Sequence, residues 1–265
     1  MALNQITTLR QSLDEDVAAC VDAGIEGIGL WRPKVAEFGE ERATELLRDA
    51  GLRVTSLSWA GGFTGQGGYS YADAVDDARD ALHSAGRLNA QSLSIVGGPR
   101  LMHLKGYARS LVVDGLRELA DEADALNVDL ALQPMHRTFQ ESWTFLNSLN
   151  AAMDVLQRCR HPRVKLAVDV YQLGWDERFL KRLPECVPHI AVVQLADGRR
   201  PPQTRFERRR PGEGRLPLAT IVQTLLRHHY VGDFEIAVWS TDLWAFREDS
   251  LLEDLRREFE RLAGS

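Results

Sequence analysis

The segment RDAGLRVTSL (48–57) decides the fold. A polar helical turn ends at Asp49–Ala50, Gly51 supplies a residue that enters left-handed backbone without penalty, and a β-type run, Arg53 to Leu57, follows at once. The order helix, Gly or Asn, strand recurs along the chain. It is seen in VDAGIEGIGL (21–30), HSAGRLNAQSLSIV (83–96), ADALNVDLAL (123–132) and RHHYVGDFEIAV (227–238). Upstream of each stop the spacing predicts a helix: 12–23, 39–50, 70–85, 107–126 and 217–229. Ser12 and Glu15 form a capping-box pattern at the start of the first. Further strands are predicted at 164–168 and 189–195, with the first strand at 5–9. The reading totals eight strands and eight helices.

Strict alternation of short apolar strands with helices implies a parallel sheet covered by helices. An eighth of the 265-residue chain is about 33 residues, the length of one strand, one helix and two connections. A doubly wound dinucleotide fold would place a glycine-rich turn after its first strand, whereas LRQSLDE (9–15) holds no glycine. The expected architecture is one (β/α)8 barrel over residues 1–265.

Composition narrows the function classes. Charged residues at 26% and hydrophobic residues at 44% exclude a disordered, collagenous or coiled-coil chain. A formal net charge of −6 gives no cationic field for nucleic acid or an anionic membrane. Cys20, Cys159 and Cys186 are widely spaced, which suits reduced thiols better than disulfides or a zinc site. MALNQITTLR (1–10) has neither a basic nor an apolar leader pattern, and no long apolar run exists. A soluble cytoplasmic protein with a small-molecule substrate is expected, without nucleic-acid or membrane partners.

In such barrels chemistry sits where strands end and βα loops begin. Those positions hold Trp31 and Arg32, then Trp59 with Gly61 and Gly62, then Gly97 and Gly98. Later units contribute Gln133, Pro134 and His136; Asp169, Tyr171 and Gln172; Gln194 and Asp197; and Ala237, Trp239 and Ser240. The rim is polar and aromatic, as a small-molecule cleft requires.

Read together, GIEGIGLWRPKVAEFG (24–39), DAGLRVTSLSWAGGFT (49–64), LALQPMH (130–136), VDVYQLGWD (168–176), VVQLADG (192–198), RRRPGEGRL (208–216) and YVGDFEIAVWS (230–240) resemble the sugar phosphate isomerase/epimerase family. These are the xylose-isomerase-like barrels, which also include the endonuclease-IV type of DNA repair enzyme. The resemblance runs from end to end. It implies a divalent metal, often Mn or Mg, held at the barrel mouth by a Glu ending strand five, an Asp ending strand six, a His ending strand seven and a Glu in strand eight. In this chain those positions read Gln133, Asp169, Gln194 and Ala237, with Glu235 two residues deeper on the same strand face; Gln172 stands where a further His is usual. Only Asp169 of the four ligands remains.

Amide oxygens carry no charge to offset dehydration of a hard cation, so no metal ligand set and no cofactor are expected, with at most weak Mn or Mg binding. Glutamine keeps hydrogen-bonding capacity, which points to a remodelled polar pocket. The resemblance places Arg208 near substrate oxygens, with Arg209 and Arg210 as neighbours onto which that alignment could slip. DNA repair is disfavoured, because relatives of that type need many His and carboxylate ligands. A homodimer is possible, since relatives commonly pair.

Two functions compete. The first is a metal-independent isomerase or epimerase acting on a sugar, polyol or related molecule, or equally a lyase or tailoring isomerase of secondary metabolism. There Asp169 or His136 serves as acid or base, Arg208 stabilises developing charge, and Gln133, Gln194, Gln172, Trp31, Arg32, Trp59 and Trp239 bind substrate. The second is a binding protein that keeps the cleft and has lost catalysis. Survival of turnover under chelation separates a metal-independent enzyme from a metal enzyme.

Overall fold

The computed structural model describes residues 1–245 and 250–264. Eight parallel strands pair in chain order and close into a barrel. They are β1 (Ala2–Asn4), β2 (Gly27–Trp31), β3 (Arg53–Gly61), β4 (Ser92–Val96), β5 (Asp129–Leu132), β6 (Val164–Asp169), β7 (Ile190–Leu195) and β8 (Asp233–Ile236). Around them run α1 (Leu13–Asp22), α2 (Arg32–Phe38), α3 (Glu40–Asp49), α4 (Tyr71–Arg87), α5 (Lys105–Ala125), α6 (Leu149–Cys159), α7 (Val170–Leu173), α8 (Glu177–Cys186), α9 (Leu218–Arg227), α10 (Thr241–Ala245) and α11 (Leu251–Ala263). The helices exceed eight because α2 and α7 are short additions directly after strand ends and α10 is another, four residues beyond β8.

The stop signals work as their chemistry requires. Gly24 (φ 65°), Gly51 (φ 68°), Asn89 (φ 52°) and Asn127 (φ 56°) are all left-handed at helix ends. In the last repeat the left-handed residue is His229 (φ 63°), three residues before the glycine. The Ser12–Glu15 capping box is present at α1. One boundary differs: β1 covers Ala2–Asn4, and residues 5–10 form turns where a strand was expected. Asn4 ends the strand, its side-chain oxygen accepting from Ile6 N at 3.2 Å and its carbonyl accepting from Thr7 N at 2.9 Å. The β-prone residues Ile6, Thr7 and Thr8 are buried in that turn instead.

Leu130 and Leu132 pack into the main core, whereas Ala131, alternating with them, clusters with Ala167 and Val192. The strand interior also holds a carboxylate. Glu235 of β8 is fully buried and accepts from Asn4 Nδ2 (2.7 Å), Thr55 Oγ1 (2.6 Å), Ser56 Oγ (2.6 Å) and Gln194 Nε2 (3.1 Å). The β2–β3 register shifts between Ile28 and Gly29, so that Thr55 falls between paired positions, and adjacent hydroxyls of β3 both reach the same carboxylate. Gly29 makes the room: a Cβ there would lie 2.6 Å from Glu235 Oε1.

Candidate active site

Asp169 ends β6, Gln133 follows β5, and Gln194 lies in β7 beside Asp169 in register. All three side chains are buried at the mouth and bonded in series. Trp59 Nε1 donates to Gln133 Oε1 at 2.7 Å, Gln133 Nε2 donates to Gln194 Oε1 at 3.1 Å, and Gln194 Nε2 donates to Glu235. Gln133 Nε2 also lies 3.4 Å from Asp169 Oδ2.

The cation of this cluster is an arginine. Arg208 Nη2 donates to Asp169 Oδ2 at 2.8 Å and Arg208 Nη1 donates to the Ala237 carbonyl at 3.1 Å, with Tyr171 packed against the guanidinium at 4.9 Å. Its side chain is only 7% exposed. Of the three arginines in register question, Arg208 therefore faces the mouth; Arg209 pairs outward with Asp242, and Arg210 is only half-buried.

Gln133, Asp169, Gln194 and Ala237 do not fit a divalent cation. They offer one carboxylate, and that carboxylate is bonded to a guanidinium that also takes the Ala237 carbonyl. Asp197, the nearby acid, is committed to backbone, accepting from Gly198, Gly212 and Leu216 N–H groups at 2.7, 3.2 and 3.0 Å. Among the described residues no group of three or more His, Cys, Asp or Glu is placed to hold a metal.

Aromatic rings roof the mouth. Trp59 meets Trp143 at 5.3 Å and Trp239 at 5.4 Å between ring centroids, and Phe206 stacks on Trp239 at 5.7 Å. Beneath the roof is a chamber of only about 20 Å³, bounded by these three tryptophans, Met135, Phe139 and the polar groups Gln133, Gln172, Arg205 and Arg208. Two of its lining residues carry buried donors without a partner, Arg208 Nε and Trp239 Nε1.

The other expected residues stand around this chamber. Gln172 lines it and also a larger neighbouring cavity of about 680 Å³. His136 lines that second cavity; its ring Nδ1 bonds Thr138 Oγ1 at 3.0 Å, and its backbone N–H donates to Gln172 Oε1. Burial, and secondarily the charge of Arg137, lower the His136 pKa below its ordinary value and disfavour the charged ring. Trp31 and Arg32 line a third cavity that Trp59 and Trp143 also bound. Arg32 is engaged there by Asp77 (2.8 and 2.9 Å) and the Trp59 carbonyl (3.0 Å).

Sequence reasoning missed Trp143, Met135 and Phe139. Trp143 lies in the β5–α6 connection, well past the strand end, and only its aromatic character in a mouth loop could have flagged it.

Several solved structures share this arrangement of elements. Protein SMc04130 of Sinorhizobium meliloti 1021 is 26% identical, with a TM-score of 0.91 over 99% of this chain and 98% of its own. The IolI protein with a binding zinc atom is 16% identical, with a TM-score of 0.87 over 99% and 97%. An L-ribulose 3-epimerase is 17% identical, with a TM-score of 0.81 over 99% and 93%. No curated protein sequence matches the chain. A family model spans residues 17–262, nearly the whole barrel, and on that match the chain belongs to the xylose isomerase-like TIM barrels.

Proposed function

We propose that this chain is an isomerase- or epimerase-type enzyme that moves a proton beside the carbonyl of a sugar-like or other small carbonyl compound, without a metal ion. One observation carries the reading. The buried Arg208 guanidinium stands against Asp169 at the mouth, a fixed positive charge where the resembled enzymes place a cation. Proton removal next to a carbonyl builds negative charge on oxygen, and a preorganised cation in a water-poor site stabilises that charge strongly. Asp169 takes and returns the proton; Gln133 and Gln194 set the orientation of the groups around it. Similarity in fold to an L-ribulose 3-epimerase agrees with this class.

The test is deuterium wash-in: a panel of aldoses, ketoses and cyclic ketones is incubated with the protein in heavy water and read by NMR. Exchange beside the carbonyl that survives EDTA and is lost in Arg208→Gln is the expected result. Exchange abolished by EDTA and restored by Mn overturns metal independence.

A second reading, a binding protein, is favoured by the chamber lining, which holds no carboxylate and no imidazole. Saturable ligand binding with no exchange for any panel member would establish it in place of the enzyme.

A further inference from the structure

We propose that Arg208 Nε and Trp239 Nε1 together receive a single ligand oxygen, and that the ligand bearing it is a flat, apolar-faced ring carbonyl compound and not an open polyol. The inference rests on the carbonyl-directed function above and names the substrate class of the same site.

Two facts carry it. The first is the pair of unsatisfied donors. A buried N–H without an acceptor costs free energy, and two of the residues that line this one small chamber each carry such a donor, a cost that a ligand acceptor would relieve. Arg208 is nine-tenths buried, with its two terminal nitrogens already bonded, and only Nε is left over. Two donors without competing acceptors are what an enolate oxygen demands.

The second is the rest of the wall. Trp59, Trp143, Met135 and Phe139 offer faces and edges, with polar groups confined to Gln133, Gln172 and the arginines. A polyol would have to exchange several water hydrogen bonds for aromatic carbon, whereas a conjugated ring buries apolar area on both faces. The chamber of about 20 Å³ holds roughly one water, so only the oxygen end fits as it stands. The ring body lies toward the adjoining groove of about 530 Å³, which shares Trp59, Trp143 and Arg205 with the chamber. Trp143, carried on the β5–α6 loop, lines both spaces and so is the wall between them.

The experiment uses para-nitrophenolate as an enolate mimic and para-nitrotoluene as a ring of similar size lacking the oxyanion, with binding read from tryptophan quenching and from the phenolate absorption band. The phenolate is expected to bind at least about tenfold tighter than the toluene, and Trp239→Phe, which keeps a ring but removes the donor, to reduce that preference about tenfold. Arg208→Gln should erase it, and D-fructose should not displace the phenolate. Equal affinity for the two rings, an unchanged preference in Trp239→Phe, or displacement by fructose overturns the assignment. Phenolate binding without any deuterium exchange would remove the enzymatic reading and leave this site standing; exchange on open sugars without phenolate binding would do the reverse.

Discussion

Asp169 and Arg208 form an ion pair at 2.8 Å in which neither side chain is more than 7% exposed. Such a pair resists removal of one member far more than removal of both, because the survivor is left as an unpaired buried charge. Arg208→Met and Asp169→Leu should each cost on the order of 3–5 kcal/mol of unfolding free energy. The double variant should be more stable than at least one of the singles. Urea unfolding of the four proteins in a double-mutant cycle measures the difference, and additivity would show that the pair is not coupled.

The same guanidinium occupies the one carboxylate left at the position of the resembled metal site. Gln133→Glu with Gln194→His restores two ligands of the resembled metal site beside Asp169, yet Arg208 still holds Asp169 Oδ2. We expect no Mn binding by calorimetry in that double variant and measurable binding once Arg208→Ala is added. Binding in the double variant alone would mean that the arginine does not block the site.

A second buried pair lies behind the β1–α1 loop. Lys34 Nζ contacts Asp16 Oδ2 at 2.7 Å, and burial, opposed by Lys34, raises the Asp16 pKa to about 6. A raised folded-state pKa contributes stability that is complete below the unfolded value of 3.8 and is lost as pH rises through about 6. Lys34→Met removes the opposing charge and pushes Asp16 higher still. The variant should be destabilised by about 3–5 kcal/mol at neutral pH, and much less in acid where Asp16 is protonated. Thermal unfolding across that pH range reads it; a pH-independent deficit would contradict the ionic account.

The His136 imidazole should titrate below 6.5, because burial and then Arg137 disfavour its charged form. Proton NMR follows the ring directly, and Arg137→Gln should move the midpoint upward without restoring the ordinary value. Since the folded pKa is depressed, the stability linked to this residue is present above 6.5 and falls away as pH drops through the lowered value.

The barrel was legible because its punctuation is local: Gly24, Gly51, Asn89 and Asn127 each mark a helix end by their own backbone preferences. The misplaced β1 came from taking Ile6–Thr8 by β propensity when Asn4 turns the chain through its side chain. At the mouth, residue identities showed the missing ligands. They could not show that Arg208, thirty-nine positions from Asp169, would bond that carboxylate, since the contact depends on how the loop after β7 folds back. Trp143 was hidden for a similar reason: loop residues reach the axis by packing, with no period to betray them.

Trp59, Gln133, Gln194 and Glu235 are linked end to end, and the chain has a direction. An indole N–H can only donate, and the Glu235 oxygens accept from Asn4, Thr55 and Ser56 as well as from Gln194, so both amides between them are locked in one sense. Neither glutamine can flip alone without setting two acceptors or two donors face to face. The carboxyl inside the barrel thereby orients the roof: whatever changes at Glu235 is felt as a change in how strongly Trp59 gives its hydrogen, and a molecule pressing on Trp59 would be answered three hydrogen bonds away, in the barrel interior.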